Sequence, residues 1–400
     1  MKVRINKFWI IRVVFILMCC VSIVYGIYIL DQPYSMYIML KVTRVLLLLS
    51  VCFGFKYNPP HIDRNTSVIM LYSIYILGRS IIGGGDILNQ TLTIMTWPLI
   101  FLLFYSHTKN VMRHPNGWNK NSKKIKKIIK IYLIVMAGVS VPLILRHLAG
   151  QGRAGEVIFP VYFFLTMMSM VVLLFRKEKL LWILPCLMIV LTTKRTGLLI
   201  IAIGLFLSQI AEYHRENTLK KKWKRLLGIT FAVIAAFIGL IILVRMFNLD
   251  IFERFMELSE DGGSGRNKIW LRVYLDYAKG NTIELLFGKG YQSVTSMMLT
   301  GRAILAHNDY MEILHDYGAV GLILISVWII QILYCFIKTW KRRDVILPSF
   351  CYSISTIALL SVFSYLFIQS YLMIFIASYL GVVVALSTNG QARENLYDES

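Results

Sequence analysis

Long apolar segments recur along the whole of this 400-residue chain and limit its possible folds more than any motif does. Hydrophobic residues make up 57% of the chain, whereas a typical soluble domain is about 45–50% apolar. A helix needs about 20 apolar residues to cross about 30 Å of hydrocarbon. The pattern predicts an all-α integral membrane protein with about 12 transmembrane helices. The predicted spans are 8–30, 35–55, 67–82, 91–106, 128–146, 157–175, 180–193, 196–211, 226–246, 318–337, 346–366 and 370–387.

Positive charge is concentrated in alternate loops. The net charge is +22, and dense basic runs occupy residues 109–127, 220–225 and 341–343. Short cytoplasmic loops of membrane proteins carry an excess of lysine and arginine. The charge therefore predicts topology, with both termini in the cytoplasm. A nucleic-acid partner is not expected, because each run lies in a short loop between spans.

The first span and the cysteines limit how the chain is processed and cross-linked. The span follows a basic segment, but it has too many apolar residues for a secretory signal and no small-residue cleavage site follows it, so we predict an uncleaved anchor. All six cysteines lie in predicted spans, which leaves no external disulfide framework and no Cys-x-x-Cys metal site. Their positions are 19, 20, 52, 186, 335 and 351.

One large external segment divides the chain. Spans one to nine form a transmembrane bundle at 1–246, the external loop covers 247–317, and 318–400 holds spans ten to twelve and a cytoplasmic tail. Apolar residues recur with helical spacing between Arg266 and Lys279, with Ser264 as a cap and Gly280 as the stop. A turn at 288–290 follows. A second amphipathic helix begins after Ala306, so two interfacial helices are predicted to lie over the bundle.

The second interfacial helix is predicted to carry the chemistry. His307 stands at its start, directly before a span, and could act as a general base. Asn308 and the acidic residues could orient the histidine or bind substrate hydroxyls. No ligand set with convincing metal spacing is visible, so we expect chemistry without a metal or cofactor. The apolar stripe is Tyr310, Ile313, Leu314 and Tyr317, and the opposite face is Asp309, Glu312 and Asp316.

Cations near the external face are candidate ligands for an anion. An arginine binds two phosphate oxygens at once and stays charged, so a polyprenyl diphosphate headgroup suits them. One alternative is that these cations snorkel at the interface. Another is that Lys41 and Arg44 pair with Asp86, and that Arg266 pairs with Asp261 or Glu260. The candidates are Lys41, Arg44, Arg79, Arg146, Arg153, Lys194, Arg195 and Arg266.

Three ordered blocks carry a family resemblance. They are LTTKRTGLLI at 191–200, GSGRNKIWLRVYLDYAKGNTIELLFGKGY at 263–291 and AHNDYMEILHDYGAVGL at 306–322. In these blocks the chain resembles the O-antigen ligase and polysaccharide polymerase superfamily of bacterial membrane glycosyltransferases. The resemblance implies a bundle of about a dozen helices with an external vestibule, and transfer of a glycan from undecaprenyl diphosphate to an acceptor.

The same resemblance assigns roles to individual residues. His307 matches the acceptor-activating base, and Arg195 and Arg266 match arginines that hold the diphosphate. Lys194 departs from the usual block, where a small polar residue precedes the arginine. Lys194 adds a charge, which leaves open which cation of the pair binds the ligand. Gly318 and Gly321 are predicted to be packing or hinge positions.

Two reactions fit this resemblance. A polymerase extends lipid-linked repeat units into O-antigen or capsular polysaccharide, whereas a ligase moves the finished glycan to lipid A core or another acceptor. We favour the polymerase because polymerases accompany every such export system. The other functional hypotheses are a flippase for lipid-linked oligosaccharide and a peptidoglycan polymerase of the rod-shape type. The expected location is the bacterial plasma (inner) membrane, with the active site on the external face. The candidate partners are membrane lipids, a chain-length regulator and a flippase.

Overall fold

The structure is a computed structural model. It describes residues 7–31, 34–82, 87–112, 115–149, 158–176, 178–192, 194–216, 218, 222–223, 266–297 and 305–388. All regular secondary structure within these ranges is helical. The all-α class predicted from the sequence is therefore confirmed for this part of the chain.

The helices follow the predicted apolar segments closely. A π-helical turn at Thr91–Met95 separates α4 from α5, and a 3₁₀ turn at Lys179–Trp182 precedes α8. The helices are α1 Lys7–Asp31, α2 Tyr34–Tyr57, α3 Ser67–Ile82, α4 Ile87–Gln90, α5 Thr96–Val111, α6 Pro115–Leu148, α7 Ile158–Leu174, α8 Ile183–Leu191, α9 Arg195–Arg215, α10 Arg266–Ala278, α11 Thr282–Phe287, α12 Ser293–Ser296, α13 Asp309–Lys341, α14 Leu347–Phe363 and α15 Ser370–Thr388.

The helices confirm a multi-pass membrane protein without establishing twelve spans. Seven helical segments among the described residues are long and apolar enough to cross a membrane, and four shorter apolar helices accompany them. Every predicted span except 226–246 coincides with an apolar helix; 226–246 lies outside the described residues. Length alone does not decide whether the short helices cross, because a kinked or tilted bundle can use helices of unequal length.

Helix α15 forms the centre of the bundle, and α2 lies at its edge. α15 packs against α5 and α7, and 94% of its apolar window is buried, compared with 22% for α2. A helix that is apolar on every side is buried in a large core or faces lipid. The exposed Leu46 and Leu49 of α2 therefore indicate the lipid-facing surface.

Helix α13 is bent at Gly318, whose φ is 67° and ψ −171°. The bend separates a first segment, Asp309–Tyr317, from the apolar part that follows, and it confirms the predicted hinge. Helical carbonyls just before a break lose their intrahelical donors. Tyr75 compensates for one of them, because its hydroxyl donates to the carbonyl of Tyr317 at 2.5 Å.

A second glycine fits against this bend. Gly288 has a φ of 80°, and a Cβ added to it would lie 2.3 Å from the carbonyl oxygen of Asp316. The amides of Lys289 and Gly290 donate to the carbonyls of His315 and Asp316 at 2.8 and 3.0 Å. The predicted turn is thus confirmed, and its backbone replaces the helical donors missing at the kink. The short helices α11 and α12 on either side of it were not predicted.

Candidate functional site

His307 is held by contacts on both sides of its backbone. The indole Nε1 of Trp270 donates to the carbonyl of Ala306 at 2.8 Å, and the carboxylate of Glu312 accepts from the amide of the same alanine. Asn308 caps α13, since its Oδ1 accepts from the amides of Tyr310 and Met311 at 3.0 and 3.2 Å. The loop from 305 to 308 is therefore fixed on α10 and α13.

The backbone of His307 adopts a left-handed conformation, with φ at 54°. Such a conformation is uncommon outside glycine, and it persists where surrounding contacts over-determine it, often at functional sites. The half-buried imidazole stacks on the ring of Tyr365, with centroids 5.6 Å apart and planes at 28°. The position of the ring is thus set by both the backbone and an aromatic platform.

Two distant parts of the chain bring cations to this histidine. Arg266 and Lys194 lie close enough to act electrostatically on His307, and Arg195 lies close enough to act on Arg266. Lys194 precedes α9, Arg195 is its first residue and Arg266 is the first residue of α10. The predicted set of His307, Arg195, Arg266 and Lys194 is therefore brought together in the structure.

The helix starts add to the positive field of these side chains. α9, α10 and α13 all begin in this region, and a helix N-terminus carries roughly half a positive charge. Phosphate groups bind readily at such positions. The combination of charged side chains and converging helix N-termini favours an anion beside His307.

Burial and the neighbouring cations act on the titration of His307. Burial, followed by Arg266 and Lys194, lowers the pKa of His307 to about 4. An imidazole with this pKa is neutral at physiological pH and so has a free lone pair. Burial also lowers the pKa of Arg266, and Arg195 adds to this effect. A bound anion would relieve the like-charge repulsion in this cluster.

The predicted acidic face of α13 does not face solvent. Asp309 is fully buried, and its Oδ2 accepts from the amides of Leu366 and Phe367 at 2.7 and 2.9 Å. Glu312 is 1% exposed and binds the backbone before His307. The expectation that Asn308, Asp309 and Glu312 contact substrate does not fit this geometry. The side chains of Asn308 and Glu312 support the loop that carries His307, and that of Asp309 holds the backbone that follows Tyr365.

A polar network joins α10 to α13. His315 is 1% exposed, and its Nε2 lies 2.9 Å from Oδ2 of Asp276, while its Nδ1 lies 2.6 Å from Oγ of Ser293. That hydroxyl also lies 2.6 Å from Oδ1 of Asp316. Lys289 pairs with Asp276 at 2.5 Å and lowers the pKa of that carboxyl. The ring of His315 is therefore buried between α10 and α13.

The other candidate cations among the described residues are not those that act electrostatically on His307. Lys41 stacks over Tyr37, with Nζ 4.6 Å from the ring centroid, and Arg44 lies deeper along α2, where it donates to Thr93. Arg79 donates from Nη2 to the carbonyl of Gly288 at 2.9 Å and so supports the turn. Arg146 lies exposed in the last turn of α6. The candidate ligand Arg153, and the alternative acids Asp86, Glu260 and Asp261, lie outside the described residues.

Two site residues were not identified from the sequence. Trp270 was recognised only as part of an apolar stripe, and its bond to Ala306 joins segments far apart in the chain. Tyr365 follows α14 in a short break and has no local signal for contact with His307. Among the described residues, no three His, Cys, Asp or Glu side chains are grouped as metal ligands. Whether the chemistry is metal-independent stays a prediction.

One family model agrees with the resemblance found in the sequence. A model described as O-antigen ligase matches residues 180–326, a segment that contains Arg195, Arg266 and His307. The resemblance to the O-antigen ligase and polysaccharide polymerase superfamily is thereby confirmed for this segment, and it supports a function of that general type. No curated protein matches the chain.

Proposed function

We propose that this chain, whose residues 180–326 match the O-antigen ligase family, is a glycosyltransferase that polymerises undecaprenyl-diphosphate-linked repeat units. The product is an O-antigen or capsular polysaccharide made at the external face of the bacterial plasma membrane. The observation that supports this most directly is the convergence of His307 with Arg195, Arg266 and Lys194.

The proposed reaction needs a base and a stabilised leaving group. The neutral imidazole of His307 accepts the proton of a hydroxyl on the acceptor's terminal sugar. The hydroxyl oxygen attacks the anomeric carbon of the donor as the bond from that carbon to the diphosphate oxygen breaks. The electron pair leaves with undecaprenyl diphosphate, whose charge is stabilised by Arg195, Arg266 and Lys194. The proton on the imidazole then passes to solvent.

Donor binding would also make His307 a stronger base. Its pKa is low partly because Arg266 and Lys194 repel the imidazolium. A diphosphate placed among these cations cancels part of their field. The imidazole thus stays neutral in the free enzyme, and its pKa rises when the donor arrives.

A ligase is the second candidate, favoured by the match to a family model described as O-antigen ligase. The donor half of the reaction is the same, and only the acceptor differs. Lipid A core or another finished acceptor would replace the next lipid-linked repeat unit. The acceptor, rather than the histidine and arginines, therefore separates the two candidates.

The first experiment compares glycans in the native host. The parent, a deletion, and the deletion complemented with His307→Ala are compared by the length of the lipid-linked and surface glycans. His147→Ala is the matched control, because this histidine lies in the last turn of α6 and is not among the groups that act on His307. Protein abundance in the membrane is measured in parallel.

Each outcome assigns a reaction. Single repeat units in the deletion and in His307→Ala, with export maintained, support the polymerase. Full-length chains that stay on the lipid carrier support the ligase instead. Lipid-linked units retained inside the cell would favour a flippase, and a parent-like pattern for His307→Ala would refute the catalytic role of this residue.

Arg195→Lys tests how the diphosphate is held. Lysine keeps the charge and removes the planar fork that contacts two oxygens. If the fork matters, turnover of a lipid-linked repeat unit by the purified protein should fall by about tenfold or more, the equivalent of roughly 1.4 kcal/mol. Turnover equal to that of the parent would exclude bidentate binding by Arg195.

A further inference from the structure

Arg44 lies within the bundle among tyrosines. It interacts electrostatically with Tyr25, Tyr37, Tyr291 and Tyr371. Its Nη2 donates to Oγ1 of Thr93 at 2.8 Å, and no carboxylate in the described part of the chain lies within ion-pair distance of it. Among the described residues, the partners of this cation are therefore neutral groups.

A half-buried arginine within an apolar bundle favours an anionic partner. Ionisable side chains in membrane helices are costly, and they mark ligand or ion sites when they persist. The partner Thr93 lies in the π-helical turn Thr91–Met95, and such turns occur frequently at functional sites. Both observations indicate that an anionic ligand supplies the missing counter-charge.

Tyrosines link Arg44 to the histidine in a path that combines ring contacts with electrostatic interactions. Tyr25 and Tyr371 are stacked, with centroids 4.3 Å apart and planes at 21°, and their hydroxyls are 3.3 Å apart. Both lie within electrostatic range of Tyr365, on which the ring of His307 stacks. Aromatic side chains with a few polar groups are typical linings of ligand sites, and this path offers rings and hydroxyls to a chain of sugars.

We propose that Arg44 binds the diphosphate of the acceptor, a second polyprenyl-diphosphate-linked repeat unit. This rests on the proposed polymerase function. The donor's reacting carbon is bonded to its own diphosphate, so that diphosphate must lie beside His307, where Arg195 and Arg266 are. The acceptor reacts through its far sugar, so its diphosphate must lie a repeat unit away. Arg44, beyond the tyrosine path, meets that requirement.

The assignment separates a polymerase from a ligase. A polymerase holds two lipid diphosphates at the same time, whereas a ligase needs one, because its acceptor carries no polyprenyl diphosphate. Two cation sites at different distances from the histidine suit the first reaction. The shared chemistry is a phosphate group at membrane depth, which a resident phospholipid could also supply.

The test counts bound undecaprenyl diphosphate by native mass spectrometry. The full-length protein is placed in nanodiscs of neutral phosphatidylcholine, and the parent is compared with Arg44→Gln, Arg266→Gln and the double variant. Lys56→Gln is the matched control, because Lys56 lies exposed at the opposite end of the same helix. We expect two copies on the parent and the control, one on each single variant and none on the double variant.

The outcomes distinguish this inference from the proposed function. The one copy kept by Arg44→Gln also shows that the variant is folded. One copy on the parent that depends only on Arg266, or two copies on Arg44→Gln, would refute the second site and leave the proposed function intact. No copy on the parent would contradict both.

A second arm replaces part of the neutral lipid with phosphatidylglycerol. If the acceptor diphosphate is the true ligand, both copies remain on the parent. If phosphatidylglycerol displaces only the copy that depends on Arg44, the site belongs to a resident phospholipid and the acceptor assignment is wrong. Arg44→Lys, which keeps a cation at this depth, should keep measurable binding of the second copy.

Discussion

Protonation of His307 is the sharpest quantitative test of the site. An ordinary histidine, with a pKa of about 6.5, is about three-quarters protonated at pH 6. With its pKa lowered to about 4, His307 should be only about 1% protonated at the same pH. General-base activity should therefore remain constant as the pH falls well below 6.5, whereas an unperturbed histidine loses its general-base activity in that range.

The measurement is hydrogen–deuterium exchange at the imidazole carbon between the two nitrogens, followed by peptide mass spectrometry from pH 3 to 9. The exchange rate follows the neutral fraction, so its midpoint gives the pKa of each of the seven histidines. We expect about 4 for His307 in the parent. Arg266→Gln should raise this midpoint while leaving it below 6.5, because burial is the largest cause of the shift.

The control for this experiment is Lys268→Gln. Lys268 lies exposed on the same helix as Arg266, so its loss should not move the midpoint of His307. Added undecaprenyl diphosphate should raise the midpoint in the parent, because it neutralises the surrounding cations. A midpoint near 6.5 in the parent, or an unchanged midpoint in Arg266→Gln, would refute the electrostatic account of the site.

The same shift has a consequence for stability. The folded-state pKa of His307 lies below the unfolded value of about 6.5, so the unfolded state binds more protons between these values. The contribution of His307 to the free energy of unfolding is highest above about pH 6.5 and is lost as the pH falls towards 4. Loss of the bound donor should make this acid sensitivity more pronounced.

Two further substitutions test how the site is held. Gly318→Ala should lower the thermal unfolding midpoint, because a Cβ there would lie 2.4 Å from a backbone oxygen at a φ of 67° and strain of about 1–3 kcal/mol is expected. The control is Gly78→Ala, because an added Cβ there would have nothing within 4 Å. Equal unfolding midpoints for the two variants would contradict the strain at Gly318. Trp270→Phe should lower the free energy of unfolding by about 1 kcal/mol and slow turnover, because the hydrogen bond to Ala306 is lost. The control is Tyr274→Phe, on an exposed part of the same helix, which should change neither quantity. Equal turnover in the two variants would exclude a positioning role for the indole.

The buried acids show where sequence patterning misleads. Periodicity places Asp309, Glu312 and Asp316 on one face of a helix, and a polar helix face is usually exposed to solvent. In the structure that face meets backbone amides, from Leu366 and Phe367 for Asp309 and from Ala306 for Glu312. Buried polar groups are almost always hydrogen-bonded, but periodicity does not show whether the partner is water or a distant amide.

The amino-acid sequence by itself determined the features that depend on local chemistry. Hydropathy identified the membrane helices, because the cost of burying polar groups in lipid acts on each segment separately. Helical spacing and Gly280 located α10, which the structure places at Arg266–Ala278. Gly318 was predicted to be a packing or hinge position, and the structure shows a hinge whose conformation only glycine adopts without strain. The pairing of His307 with Arg195 and Arg266 was implied by the resemblance of ordered blocks to a known family.

Only the tertiary structure decided which of the candidate residues share a site. Lys194 and Arg266, both at helix starts, act on His307, whereas Arg44 lies well inside α2 and acts on a group of tyrosines. The short helices α11 and α12 escaped prediction because so few residues carry no usable periodicity. Contacts such as Tyr365 with His307 depend on how separate helices pack, and packing is set by the whole bundle rather than by neighbours in the chain.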